Sequence, residues 1–249
     1  MSFEIPSDRR GLIVMAKVAE QCERYDEMIV CMKRLISLNP VLTLEEKNLL
    51  SVAYKNVVGA RRAPWRTLQS FADSSSVEVR QFKQRMEAEI GEVCSDIFAM
   101  LKDKLIPSSA DDDSRVFYYK LEADYHRYYV EVLDPASGVA AEQRGAAREA
   151  YKNAVKYAES LPDASPIKLG LLLNFSVFHY EIEKEQAAGY AMARDAFEKA
   201  APHLETLDED EYRESATIMS LIRDNLSTWA DALGVKEEGA GDDMAMEDC

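Results

Sequence analysis

The stretch Asn48–Arg66, NLLSVAYKNVVGARRAPWR, holds four basic residues (Lys55, Arg61, Arg62 and Arg66) and no acid, in a chain that carries 45 Asp and Glu against 30 Lys and Arg. Such a cluster in an acidic chain is built to meet an anion. Leu, Ala, Lys and Arg favour the helix, and Lys55 and Arg62 stand seven residues apart. At about 3.6 residues per turn that spacing returns nearly to the same azimuth, so one helix face presents both cations.

Outward from this stretch, the composition continues the helical theme. The 249 residues are 47% hydrophobic, enough for a sizeable core, and only 10 Gly and 8 Pro interrupt them. The expected class is all-α. A net charge of -15 argues against nucleic acid or an anionic membrane as main partner, since both require a cationic surface. Cys22, Cys31, Cys94 and Cys249 show no CxxC spacing, and the polar start MSFEIPSDRR is followed by no apolar stretch. These features are those of a cytoplasmic protein with reduced thiols. The most apolar segment, Leu169 to Ile182, is broken by Asn174, Ser176, His179 and Glu181, well short of the roughly 20 apolar residues of a membrane span.

Breaker signals divide the chain into about nine helical segments joined by short connections, which makes successive helices antiparallel neighbours. Pro40 ends the second helix, and the pattern Thr43-x-x-Glu46 opens the third as a capping box. Asp73 to Ser76 separates the third from the fourth. The run Pro107 to Asp113 supplies an acidic start for the fifth. Further boundaries fall at Pro135 to Gly138, at Pro162 and Pro166, at Lys184 to Gln186, and at Pro202 to Asp208. Residues 1–234 are read as one helical domain. Residues 235–249 form an acidic tail with two Gly and six acids against one Lys, a composition expected to be disordered.

Three further segments stand in order around the basic stretch: RYDEM at Arg24, VFYYKLEADYHRYYVEV at Val116 to Val132, and LGLLLNFSVFHYEI at Leu169 to Ile182, closed by RDNLSTW ending at Trp229. In this order and spacing, over nearly the whole chain, the sequence closely resembles the 14-3-3 family. The resemblance implies a U-shaped helical dimer with one concave groove per subunit, which binds Ser- or Thr-phosphorylated segments of client proteins. It assigns the phosphate to Lys55, Arg62, Arg127 and Tyr128. It assigns the peptide groove to Lys120, Leu173, Asn174, Val177, Glu181, Ile218, Leu221, Asn225 and Trp229. The dimer interface it implies comprises Val18, Cys22, Leu68, Phe71 and Phe82, with Arg24 facing Glu89 and Glu27 facing Arg85, and with Pro64 where many members carry a phosphorylatable Ser. The partner is a second copy or a related isoform.

The residues themselves suit these roles. A phosphoryl group brings about -1.5 to -2 charges and three strong acceptors, and an arginine fork grips two oxygens at once where Lys55 acts as a point charge. Leu173, Asn174, Val177 and Glu181 fall along one flank of the seventh helix, and Ile218, Leu221, Asn225 and Trp229 along the ninth. Each Asn offers a donor and an acceptor to an extended backbone. Thr228 stands where relatives usually have Leu, and His126 and His179 replace Tyr. A neutral packed His126 is the expected state. Pro64 should kink the third helix by removing the hydrogen bond to the Ala60 carbonyl.

Catalysis has no motif here: no P-loop, no G-x-S-x-G, no H-E-x-x-H, and no His, Cys or carboxylate cluster at metal-ligand spacing. The chain is therefore read as a non-enzyme with no cofactor and no metal. A second reading is a phosphorylation-independent scaffold resembling tetratricopeptide proteins, suggested by the Ala-rich segments Ala146 to Ala158 and Ala188 to Ala200. No 34-residue period accompanies them.

Overall fold

The computed structural model describes residues 5–71 and 76–235. Among these, nine α-helices account for the architecture and no strand occurs: α1 (Arg9–Gln21), α2 (Tyr25–Leu38), α3 (Leu44–Gln69), α4 (Val77–Met100), α5 (Asp112–Val132), α6 (Gly138–Ala158), α7 (Pro166–Val177), α8 (Gln186–Ala200) and α9 (Glu209–Leu233). The expected tail lies, apart from Val235, outside the described residues, as do Asp73 to Ser75 of the expected third connection.

Local chemistry sets the helix starts. Asp8, Thr43, Ser76, Asp111, Ser137 and Asp208 each accept a hydrogen bond from the first turn they precede, which satisfies one of its orphan N–H groups. At Thr43 the box is reciprocal, because Glu46 returns a carboxylate to the Thr43 N–H at 2.8 Å. The buried Glu46 also receives Nε and Nη2 of Arg9 at 2.8 and 2.5 Å, tying the start of α1 to the start of α3. Burial raises the Glu46 carboxyl, but Arg9 and the Thr43 hydrogen bonds outweigh it and hold the group below its ordinary pKa. Pro166 opens α7 at its first turn, where a missing N–H costs nothing.

Helix α3 runs continuously from Leu44 to Gln69 with Pro64 inside it. Side chains on either side of the proline also bond to the helix backbone: Arg61 Nη1 donates to Val57 O at 2.9 Å, and the Thr67 hydroxyl donates to Ala63 O at 3.2 Å. The Pro64 ring faces solvent.

The chain divides into two compact units, the first through Ser160 and the second from Leu161 onward. In the first, α1 to α6 enclose a core that includes Leu12, Met28, Leu35, Leu50, Tyr54, Ile97 and Tyr125. Helix α6 lies closely on α5 because its inner face is small: Ala140, Ala147, Ala150, Ala154 and Ala158 are all buried. In the second unit, α7, α8 and α9 pack around Leu169, Ala193, Met219, Ile222 and Trp229. Two single π-helical turns interrupt the regular geometry. Leu101–Leu105 extends α4 and Phe178–Ile182 extends α7.

Candidate functional site

The first unit gathers the basic residues of α3 and α5. The guanidinium of Arg62 lies 3.8 Å from the centre of the Tyr128 ring and that of Arg127 lies 4.7 Å from it, so one aromatic surface seats both forks. Tyr128 in turn meets Tyr125 edge-on at 5.4 Å. Lys55 stands two turns earlier on the same stripe of α3. It is exposed, with no side-chain partner among the described residues.

Each arginine is aimed by a carboxylate. Arg62 donates from Nε and Nη2 to Oε2 of Glu131 at 2.8 and 2.5 Å, while Arg66 holds the other oxygen of the same group. Burial raises the Glu131 carboxyl, and the two arginines more than reverse that shift. Deeper in, Tyr151 donates to Asp124 Oδ1 at 2.6 Å, Arg127 donates to the Tyr151 hydroxyl at 3.1 Å and to Asp124 Oδ1 at 3.3 Å, and Lys120 donates to Asp124 Oδ2 at 2.9 Å. Asp124 is nearly inaccessible. Burial drives its pKa up, and Lys120, Arg127 and the Tyr151 hydrogen bond bring it below the ordinary carboxylate value. Arg127 is held charged: burial acts against the charge, and Tyr151, Asp124 and Tyr128 overcome it.

The cluster thus contains Lys55, Arg62, Arg66, Lys120 and Arg127 against the two carboxylates of Asp124 and Glu131. Cations remain in excess. Apart from the exposed Lys55, their donors are held by carboxylates before any ligand arrives, which lowers the ordering cost of binding. Glu131, Asp124 and Tyr151 were not singled out from the sequence. A signal for one of them existed, since Asp124 lies four residues after Lys120 and three before Arg127.

His126 stacks on Phe98 with ring centres 3.8 Å apart, and its Nδ1 lies 2.6 Å from Gln143 Oε1. Burial lowers its pKa, against smaller opposite effects from Gln143 and Glu142. It is packed and neutral at neutral pH.

In the second unit, Leu173 and Val177 of α7 and Ile218 of α9 are partly buried against the core, and Leu221 is half-exposed. Asn174 and Asn225 are both partly accessible, and Glu181 is exposed on the π-helical turn. Trp229 differs from the others: it is buried and stacks on Tyr180, ring centres 4.3 Å apart and planes 7° from parallel. Its place is in the core beneath the accessible residues. His179 Nδ1 lies 2.8 Å from Glu185 Oε2, closing the π-helical turn onto the start of α8.

The interface candidates lie at three places in the first unit. Val18 and Cys22 are exposed at the end of α1, Phe71 and Phe82 are exposed beyond α3 and on α4, and Leu68 is partly covered. Within the single chain Arg24 pairs with Glu27, and Arg85 with Glu89, Nε to Oε1 at 3.1 Å; Arg61 also reaches Glu89 at 3.2 Å. Among the described residues no group of three or more His, Cys, Asp or Glu is placed to hold a metal ion, and no helix is long and apolar enough to cross a membrane.

The sequence model of the 14-3-3 protein family matches residues 15–230. The chain belongs to the 14-3-3 family. Similar proteins come from distant lineages. A 14-3-3 protein homolog of Candida albicans is 44% identical over 239 residues, covering 91% of this chain and 89% of its own. The 14-3-3 protein epsilon of Drosophila melanogaster is 43% identical, with 97% and 95% covered, and the 14-3-3-like protein B of Vicia faba is 41% identical, with 95% and 97% covered. Membership of the 14-3-3 family supports an adaptor role.

Proposed function

We propose that this 14-3-3 protein is a dimeric, cytoplasmic, non-catalytic adaptor that binds Ser/Thr-phosphorylated segments of client proteins. The observation that carries the reading is the seating of Arg62 and Arg127 on the one ring of Tyr128, each guanidinium oriented by its own carboxylate. Lys55, Arg62, Arg127 and Tyr128 take the phosphate. Lys120, Leu173, Asn174, Val177, Glu181, Ile218, Leu221 and Asn225 serve the rest of the ligand, supported from below by Trp229. Residues 1–234 work as one domain and the acidic tail from 235 follows it. A dimer holding two phosphosites acts by clamping a client, masking a surface or bridging two clients, with avidity set by effective concentration.

Matched phosphorylated and unphosphorylated peptides test this by fluorescence anisotropy. The phosphorylated peptides bind and their unphosphorylated twins do not. Lys55→Glu replaces attraction with repulsion, and a contact at about 4 Å and an effective dielectric near 20 is worth roughly 4 kcal/mol before desolvation. Affinity should therefore fall by at least about a hundredfold. Equal affinity for both peptides would instead support the phosphorylation-independent scaffold.

A further inference from the structure

The corner between α2 and α3 turns large aliphatic side chains outward on a pinned backbone. Leu38, the last residue of α2, is 46% exposed, Val41 in the connection 57%, and Leu44, the first residue of α3, 72%. A loose connection could fold such side chains away, but this one is held. Arg9 donates to the Asn39 and Val41 carbonyls at 3.2 and 2.9 Å, the Ser108 hydroxyl donates to Pro40 O at 3.3 Å, and the Val41 N–H donates to Asn39 Oδ1 at 2.9 Å. The capping box at Thr43 fixes the far end. Apolar surface gathered at one place marks an interaction site, and surface already held rigid loses little entropy when a partner covers it.

The charges beside this corner are unpaired cations. Arg34 stands about one turn before Leu38 on α2, exposed and with no side-chain partner among the described residues. Lys104 reaches α2 from the π-helical turn after α4 and donates to the Ser37 hydroxyl at 3.2 Å, with no ion-pair partner among the described residues. Asp96 of α4 also reaches α2, but it is already shared by Lys33 and by the Tyr54 hydroxyl, which donates to it at 2.5 Å. Val30 is exposed one turn before Arg34, so Val30, Arg34 and Leu38 alternate aliphatic and cationic along one edge of α2. In a chain of net charge -15, such an edge complements an acidic, aliphatic partner.

We propose that this corner docks an acidic, aliphatic-rich segment of a partner protein, with Leu38, Val41 and Leu44 meeting its apolar side chains and Arg34 and Lys104 its carboxylates. No phosphate is needed there, so the corner and the phosphate cluster stand or fall separately. The probe is a fluorescein-labelled peptide of Leu, Glu and Asp, read by anisotropy against the full chain beside two twins, one with Gln at every acidic position and one with Ala at every Leu. Wild type binds both twins about tenfold more weakly than the probe, and Arg34→Glu and Val41→Asp each weaken the probe by a similar factor. Both residues are exposed, so these variants keep the thermal unfolding of the wild type, and phosphopeptide affinity stays within about twofold. Lys55→Glu leaves the probe bound. A probe lost in Lys55→Glu but indifferent to Arg34→Glu and Val41→Asp sits on the phosphate cluster and overturns the proposal, as does the absence of saturable binding. Self-association that drops in Val41→Asp by sedimentation overturns it in favour of a second copy covering the corner. Loss of phosphate dependence, with the probe still sensitive to Arg34→Glu, overturns the phosphopeptide reading and leaves the corner in place.

Discussion

The Arg127 guanidinium stays ionised in a nearly closed site because Asp124 and Tyr151 meet it there. A buried charge pair of this kind contributes little as a pair, but removal of one member strands the other. Asp124→Asn should therefore destabilise the protein by about 3–5 kcal/mol, leaving Arg127 and Lys120 without their shared counter-charge. The dependence on pH follows from the depressed pKa of Asp124. A carboxyl whose folded pKa lies below its unfolded value of about 3.9 contributes fully above that value and loses the contribution as pH falls toward the folded one. In urea melts, the gap between wild type and Asp124→Asn should stay constant from about pH 7 to 5 and narrow below about 4. A gap that widens on acidification would contradict this account. The four proposed phosphate donors, Lys55, Arg62, Arg127 and Tyr128, could be named from the sequence because they stand in motifs that resemble the family's, and helical spacing by itself links only Lys55 with Arg62. Glu131 could not, since it meets Arg62 across 69 residues of sequence and only the packing of α3 on α5 joins them.

Helix boundaries followed the capping residues, which act through bonds to backbone within three positions and so are visible in the chain itself. Gly234 closes α9 in the left-handed conformation, φ 65°, that favours glycine. The π-helical turn at Phe178–Ile182 was not visible. There α8 crosses so closely that a β-carbon on Gly189 would lie 2.7 Å from Ser176 O and 2.9 Å from Tyr180 N, both backbone atoms that no side-chain rotation moves. Lys184, at φ 60°, then turns the chain back. Gly189→Ala should cost about 1–3 kcal/mol in thermal or urea unfolding, the scale of an overpacked core. Gly145→Ala is the matched control in α6, where nothing lies within 4 Å; it should stabilise by about 0.5–1 kcal/mol. Equal effects at the two glycines would mean that the close crossing is relieved without strain. Because Glu181 sits on this turn, Gly189→Ala should also weaken phosphopeptide binding.

For the whole molecule, self-association is the property most open to test, since Val18, Phe71 and Phe82 leave large apolar side chains about half exposed. The intrachain pairing of Arg24 with Glu27 makes a clean experiment available. The double variant Arg24→Glu/Glu27→Arg keeps an opposite-charge pair within each chain, yet places like charges opposite Glu89 and Arg85 of a second copy. Sedimentation should show the wild type as a dimer at micromolar concentration and the double variant weakened by about tenfold or more, several surface pairs acting together by symmetry. A monomeric wild type, or a variant that associates as well as the wild type, would remove this arrangement. By itself the sequence determined the all-α class, the helix boundaries and the family, because periodicity, caps and motif spacing are local and survive without knowledge of the fold. Tertiary structure alone decided which carboxylate orients each arginine, that Trp229 supports from the core, where the helices widen to π geometry, and that Arg34 is left without a partner among the described residues. Those outcomes depend on distances between residues far apart in the chain, and such distances come into being only when the helices pack.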